Sequence, residues 1–276
     1  MKCGNGLAYK IAPVTLSQAS QTWRPKICFE TKQGRYLVKI ANTRAEFEAT
    51  IRLRSEVFLR EFAGKSDLDE IDIEERDQEA DFLIIKDSVD GNVLACYRLI
   101  SSHYSKEFYS NSEFSIQGFL KTPGHKLELS RACIRADKRT SGIFLHLLWK
   151  GLITYIQMSK SSFLFGCSSI PYLKLPELVN VYQSLREIDA FSEDYGVQPH
   201  AEYRIVDMGG ILRFGSRPDR EEKVPLPPLL MGYIKAGALV HGAPAFDQDF
   251  NCLDLFTILN FDREPSAFLK KYLDAQ

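Results

Sequence analysis

The hydrophobic and polar positions fall into short alternating runs separated by longer stretches of helical period. Arg35 to Ile40 alternates and reads as a strand. From Arg44 to Phe62 the apolar residues Phe47, Ile51, Val57 and Phe58 recur at helical spacing, behind a cap at Asn42 or Thr43. Asp81 to Asp87 and Val93 to Ile100 are apolar runs joined through Asp90-Gly91-Asn92, the signature of a β-hairpin. A polar, aromatic-rich connection from His103 to Lys126 has room for a short helix at Phe114 to Leu120. Ile143 to Met158 is a strongly apolar helix, Ser162 to Ser168 the next strand and Pro176 to Ile188 another helix. Glu202 to Val206 and Gly210 to Phe214 are expected to pair as late strands, Arg217 to Pro228 to form a surface linker, Pro228 to Gly237 a helix and Phe250 to Phe261 a last strand. Residues 1 to 34 lack a clear period and read as an N-terminal extension; residues 35 to 276 read as a single domain.

The segment the pattern turns on is Leu127-Glu128-Leu129-Ser130-Arg131-Ala132-Cys133-Ile134-Arg135. It alternates like a half-buried strand, yet residues three apart on a strand point to opposite faces, so either Glu128 or Arg131 would enter the core. A bulge near Ser130 puts both charges on one side and splays the neighbouring strand. The chain then runs through a polar loop ending at Gly142 into the helix at Ile143, and a strand, loop and helix N-terminus in that order offer backbone N–H groups to an anion. On these nine residues alone, an edge-strand ion pair followed by a helix cap is the preferred reading. Arg98, alone in an apolar strand, calls for a carboxylate partner. The acidic run from Gly64 to Asp77 reads as a solvated loop, with Asp69 and Asp72 set apart because Leu68, Ile71 and Ile73 alternate with them.

Composition narrows the classes. With 45% hydrophobic and 26% charged residues and a net charge of −1, the chain is an ordinary globular protein without the basic excess of a nucleic-acid binder. The six cysteines form no CxxC pair, which favours reduced thiols and a cytosolic setting, with contact to the inner-membrane surface left open. No GxGxxG, P-loop, GxSxG or HExxH motif is present, and the five histidines are scattered, so nucleotide, hydrolase and metal chemistry lose support. The element order implies a mixed α/β fold on one sheet.

Taken together, Arg54-x-x-x-Phe58, Asp69-x-x-Asp72, Arg98 and Glu128-x-x-Arg131 resemble the acyl-homoserine-lactone synthases of the GNAT-like acyltransferase superfamily. Arg52-x-Arg54-x-x-Val57-Phe58, Glu128-Leu-Ser-Arg131-Ala-Cys-Ile, Leu148-Trp-Lys-Gly151, Phe165-Gly-Cys-Ser168 and Gly237-Ala-x-Val-x-Gly-x-Pro-Ala-x-Asp247 resemble more closely the ornithine N-acyltransferases of ornithine-lipid synthesis, often labelled hemolysin-like, and the long-chain N-acyl amino acid synthases. The tryptophan that the lactone synthases carry shortly after the Phe58 position is missing, which argues against lactone chemistry. The resemblance implies a GNAT-like fold, an α/β class with a mixed, splayed central sheet flanked by helices. It implies transfer of a long, 3-hydroxylated acyl chain from acyl carrier protein to the α-amino group of an amino acid, ornithine first among them. No cofactor or metal is implied as bound; the acyl group arrives on the phosphopantetheine of the carrier. Glu128 is the expected base, with Arg131 beside it, and Arg54, Phe58, Asp69, Asp72 and Arg98 are expected to order the acidic loop over the substrate. Ser130, Cys133, Arg135, Ser141, Gly142 and Phe144 are assigned to the acyl donor, and Lys138, Arg139 and Lys150 to the acidic carrier protein. The rival readings are an N-acyl amino acid synthase with another acceptor and a catalytically silent acyl-carrier-binding module.

Overall fold

The computed structural model describes residues 15–67, 69–171, 175–205 and 226–274. A ten-stranded sheet runs through it. Strands β1 (Glu30–Gln33), β2 (Tyr36–Ile40), β3 (Asp81–Asp87) and β4 (Val93–Ser101) follow one another antiparallel, β3 turning into β4 where Gly91 takes φ +75°. After β5 (Phe114–Ser115) comes β6 (Lys126–Ile134), antiparallel to β4 and parallel to β7 (Phe163–Pro171). The remaining strands are β8 (Phe191–Ser192), β9 (Gln198–Pro199), β10 (Leu239–His241), β11 (Ala245–Asp247) and β12 (Cys252–Asn260). β12 extends the sheet antiparallel to β7, β10 pairs with β12 and then with β8, and β5 and β9 form a small separate sheet. This is the mixed, helix-flanked α/β sheet that the element order implies.

Helices cover both faces because the crossover between parallel β6 and β7 needs one and the apolar stripe of another fills the opposite side. The crossover helix, Ile143–Ser159, buries Phe144, Leu147, Leu148, Leu152 and Ile156 against the face that also carries Leu83, Leu99, Leu129 and Leu164. Helix Arg44–Arg54, capped by the Thr43 hydroxyl accepting from the Glu46 amide, buries Phe47, Ile51 and Leu53 against the face of Phe82, Ile84, Cys96 and Phe165. Beyond Arg54 the expected single helix widens into a π-helical stretch, Ser55–Phe62, at whose start the Ser55 hydroxyl donates to the Ile51 carbonyl and accepts from the Asp72 amide.

The bulge falls where the two charges demand it. In the β4–β6 register Cys96 faces Cys133 and Arg98 faces Ser130, so Tyr97 alone opposes Arg131 and Ala132, and Arg131 takes the left-handed φ of +50°. Pairing between β6 and β7 ends at Glu128 with Phe165, while β7 continues along β12 to Pro171. The sheet therefore opens between β6 and β7. Gly166 sits at the parting, where a Cβ would lie 2.2 Å from the Leu129 carbonyl oxygen.

Some expectations change. Residues 202–205 do not form the expected strand: Ala201–Tyr203 is a 3-10 turn, and among the described residues Arg204 makes an isolated bridge to Ala245. Val206, the proposed partner Gly210 to Phe214, the linker positions 217–225 and Leu68 lie outside the described residues. Residues 1–14 do as well, but the rest of the presumed extension is built into the fold. It forms helix Leu16–Thr22 and β1, and between them Trp23 stacks on Phe47 at 4.8 Å and donates its indole N–H to the Ala80 carbonyl at 2.8 Å. Trp23→Ala is expected to lower unfolding stability by about 3–5 kcal/mol, read from denaturant midpoints; an unchanged midpoint would mean that this segment is an appendage.

Candidate active site

One arginine from each of three elements reaches the face beneath helix Arg44–Arg54. Arg54 ends that helix, Arg98 stands on β4 and Arg131 on the β6 bulge. A buried guanidinium is costly without carboxylates, and the acidic loop supplies them. Arg54 Nε bonds Asp72 at 3.0 Å and its Nη1 bonds Asp77 at 2.9 Å; Arg98 Nη1 lies 3.2 Å from both Asp77 and Glu74; Arg131 bonds Asp72 at 3.1 Å and Glu74 at 2.6 Å. Burial by itself would raise the Asp72 and Asp77 carboxyls, but Arg54 and Arg131 acting on the first, and Arg54 and Arg98 on the second, hold both below the usual carboxylate range.

Most carboxylates of the acidic segment are exposed or half-buried, as expected of a solvated loop, while Asp72 and Asp77 are buried and clamp the arginines. Asp72 belongs to this clamp, whereas Asp69 is exposed and its backbone N–H turns to Asp67, because the arginines lie beneath the later half of the loop. Glu74 and Asp77 take the part given to Asp69. Their signal was the surplus of lone arginines, since Arg54, Arg98 and Arg131 need more than one carboxylate.

Glu128 shares a face with Arg131 but does not pair with it. It is fully buried; its Oε2 accepts from the Tyr109 amide at 2.8 Å, and its Oε1 from the Ser110 amide and hydroxyl at 2.7 and 2.8 Å. Three donors thus occupy the carboxylate, and its burial leaves the Ser110 hydroxyl as the group it bonds on the way to the opening. Burial outweighs these donors and keeps its carboxyl above the usual range. The Tyr109–Ser112 turn it holds places the Tyr109 ring 5.0 Å under the Arg131 guanidinium, which also lies 5.5 Å from the rings of Phe58 and Phe250. From the opening, the half-buried Cys167 thiol donates to the Ser110 hydroxyl at 3.6 Å.

The donor residues scatter. Ser130 accepts from Arg98 Nε at 2.8 Å and Cys133 is buried with its sulfur 3.3 Å from that of Cys96, so both serve the arginine face. Arg135 pairs with Asp137 at 2.6 Å, Phe144 is core, and only Ser141 and Gly142 lie open before the helix N-terminus. Lys138 pairs with Asp137 at 3.1 Å, Arg139 with Glu61 at 2.7 Å, and Lys150 donates to Gln33 at 3.3 Å, so none of these cations is free of an internal partner. The sequence reading missed a small cleft of about 20 Å³ on the opposite face of the opening, lined by Leu129, Leu164, Gly166, Ser168 and Tyr233. It also missed Glu113 and Asp254, whose oxygens lie with Cys167 Sγ within 4.8 Å of one another.

Burial, then the neighbouring Asp254, pushes Glu113 up to about 9 from its ordinary 4.5. Between those values the folded protein holds a proton that the unfolded chain has lost, so this group makes stability fall as pH rises. Glu113→Gln should match wild type at pH 4 and exceed it at pH 8 by on the order of 1–3 kcal/mol, measured by denaturant unfolding at the two pH values. A variant less stable at pH 8 would contradict this.

Comparison with known proteins agrees with the sequence resemblance. Residues 53–150 match the acetyltransferase (GNAT) domain family. A protein of Brucella abortus (strain 2308) named L-ornithine N(alpha)-acyltransferase is 27% identical, over 87% of this chain and 89% of its own length. Its namesake in Rhizobium meliloti (strain 1021) is 28% identical over 85% and 83%, and that of Agrobacterium fabrum (strain C58 / ATCC 33970) 25% identical over 94% and 92%. Among solved structures, an N-acyl amino acid synthase from uncultured soil microbes aligns at a TM-score of 0.45 and 9% identity, over 86% of this chain and 98% of that one, a likeness too loose to build on. Residues 53–150 are thus similar to a GNAT acetyltransferase domain, and relatives aligned over most of the chain are named as ornithine N-acyltransferases.

Proposed function

We propose that this protein transfers a long acyl chain, 3-hydroxyacyl in particular, from acyl carrier protein to the α-amino group of ornithine. The observation that carries the reading is the opening between β6 and β7, with a small, largely apolar cleft on one face and Arg131 and the buried Glu128 on the other. An acyl thioester needs the first, an amine nucleophile the second, and a parted pair of strands lets them meet. Relatives matching most of this chain bear the ornithine name, which selects the acceptor.

Amide formation requires a neutral amine, a path for its proton and donors to the tetrahedral oxyanion. Backbone groups of β6 and β7 lose their cross-strand partner beyond Glu128 and Phe165, and N–H groups there are placed to meet the oxyanion. Glu128 acts as base at one remove. The Ser110 hydroxyl, hydrogen-bonded to Glu128 and approached by Cys167 from the opening, passes the proton inward, and a carboxyl raised by burial is a better sink than an ordinary one. Arg131 fixes Tyr109 and the acidic loop; it does not tune Glu128 by pairing.

On the donor side, the exposed turn Ala136–Ser141 and Gly142 precede the N-terminus of Ile143–Ser159, a fit for the pantetheine phosphate. Lys138 and Arg139 on this turn and Lys150 on the helix offer charge to the carrier protein. A carrier-dependent enzyme works in the cytoplasm, and a lipid product suits contact with the inner-membrane surface; no helix among the described residues is long and apolar enough to cross a membrane.

Thiol release from 3-hydroxyacyl carrier protein should require ornithine. It should fall about 10²–10⁴-fold in Glu128→Gln and at least about tenfold in Ser110→Ala. Release driven by a different amino acid would move the acceptor, and carrier binding without release for any amine would replace this reading with the silent module.

A further inference from the structure

Three carboxyls gather just past the opening. Asp254 on β12 faces Ser169 on β7, Asp247 ends β11, and Glu113 arrives from the other side on the turn that Glu128 anchors. Oxygens of Glu113 and Asp254 lie within 4.8 Å of each other and of Cys167 Sγ, and Asp247, Cys252 and Asp254 form a second group of the same span. Cys167 directly follows Gly166, where the strands part, so the carboxyls border the place where acyl donor and amine meet.

What sets the group apart is its lack of compensation. Arg54, Arg98 and Arg131 are matched by Asp72, Glu74 and Asp77. Among the described residues no lysine or arginine forms an ion pair with Glu113, Asp247 or Asp254. Asp254 accepts from the Ser169 hydroxyl at 2.5 Å, and Asp247 Oδ1 from the amides of Asp249 and Phe250. Glu113, only 1% exposed, has an Oε2 with no hydrogen-bond partner. Closely spaced, buried carboxyls without a cation must hold a proton or take up a cation from a ligand. Ser169 is exposed beside Asp254, so the group is reachable from solvent.

We propose that Glu113 and Asp254 form the pocket for the second, side-chain ammonium of a diamino-acid acceptor. This rests on the acyl-transfer reading above. A primary ammonium brings one charge and three N–H donors, enough to bond the open Glu113 oxygen and the free side of Asp254 together. At neutral pH the pair holds a proton, since burial and its own neighbour push Glu113 up to about 9, and the entering ammonium displaces it. Acceptors without that ammonium leave the pair protonated and gain nothing from it. The same two residues thereby select ornithine over a neutral amino acid of equal length.

The test is calorimetric titration of wild type, Glu113→Gln and Asp254→Asn with ornithine and with norvaline, which keeps the carbon chain and lacks the second amine. Wild type should bind ornithine roughly 10–100-fold tighter than norvaline. Each variant should bring the two within about threefold, with a cooperative denaturant unfolding transition as the check on folding. A preserved preference in both variants, no preference in wild type, or Zn²⁺ uptake lost in the variants while ornithine binding is untouched would overturn the proposal. Ornithine selectivity without thiol release would leave this pocket and remove the acyl-transfer reading; ornithine-driven release without that selectivity would do the reverse.

Discussion

The enclosure of three guanidiniums beneath one helix is the constraint on which the rest of the structure depends. Arg54 and Arg98 are fully buried and Arg131 nearly so. Each would be prohibitive alone, and each is tolerable because Asp72, Glu74 and Asp77 reach under the helix to meet them. To supply those carboxylates the loop from 69 to 77 must lie flat on the sheet, and to reach them Arg131 must leave the regular strand. Its φ of +50° records that demand. Once β6 is bulged there, it diverges from β7 and the sheet opens. An electrostatic requirement within the core thus becomes the shape of the candidate active site.

Two sets of acids on one sheet face behave oppositely. Asp72 and Asp77 sit among arginines that hold them ionised, so they support the fold at neutral pH and lose that support as the medium becomes acidic enough to protonate them. Glu113 and Asp254 are buried against each other and near Asp247 with no ion-pair partner among the described residues, and are raised instead. Uncompensated groups of this kind concentrate at sites of function, and here they stand next to the parting of β6 and β7. Glu128 lies between these regimes, buried and raised yet saturated with donors, which suits a group that acts through Ser110.

Much of this was legible in the residues. Glu128 and Arg131, three apart on an alternating strand, required a bulge; Arg98 in an apolar run required carboxylates; Asp90-Gly91 marked a hairpin. Charge density marked most of the acidic loop as solvated, which it is, but nothing local distinguishes Asp77, which is buried, from Asp69, which is not. That distinction depends on where arginines from distant elements converge. Glu113 was invisible for a similar reason, since a polar connection shows no period and its meeting with Asp254 joins positions far apart in sequence. Trp23 and the strands β1, β10 and β11 were too short or isolated to register before packing.

That the arginine clamp holds the bulge, and through it the opening, is tested most directly by hydrogen exchange in wild type and Asp77→Asn at neutral pH. Asp77 bonds both Arg54 and Arg98 and is closed to solvent, and asparagine keeps an oxygen that can accept from the Glu74 amide while removing the charge that the clamp needs. The account predicts that amides of Leu129 to Cys133 and of Tyr109 to Ser112 exchange at least about tenfold faster in the variant, while those of the crossover helix Ile143–Ser159 keep their protection. Unchanged protection along β6, or a uniform loss with no excess at the bulge, would contradict it.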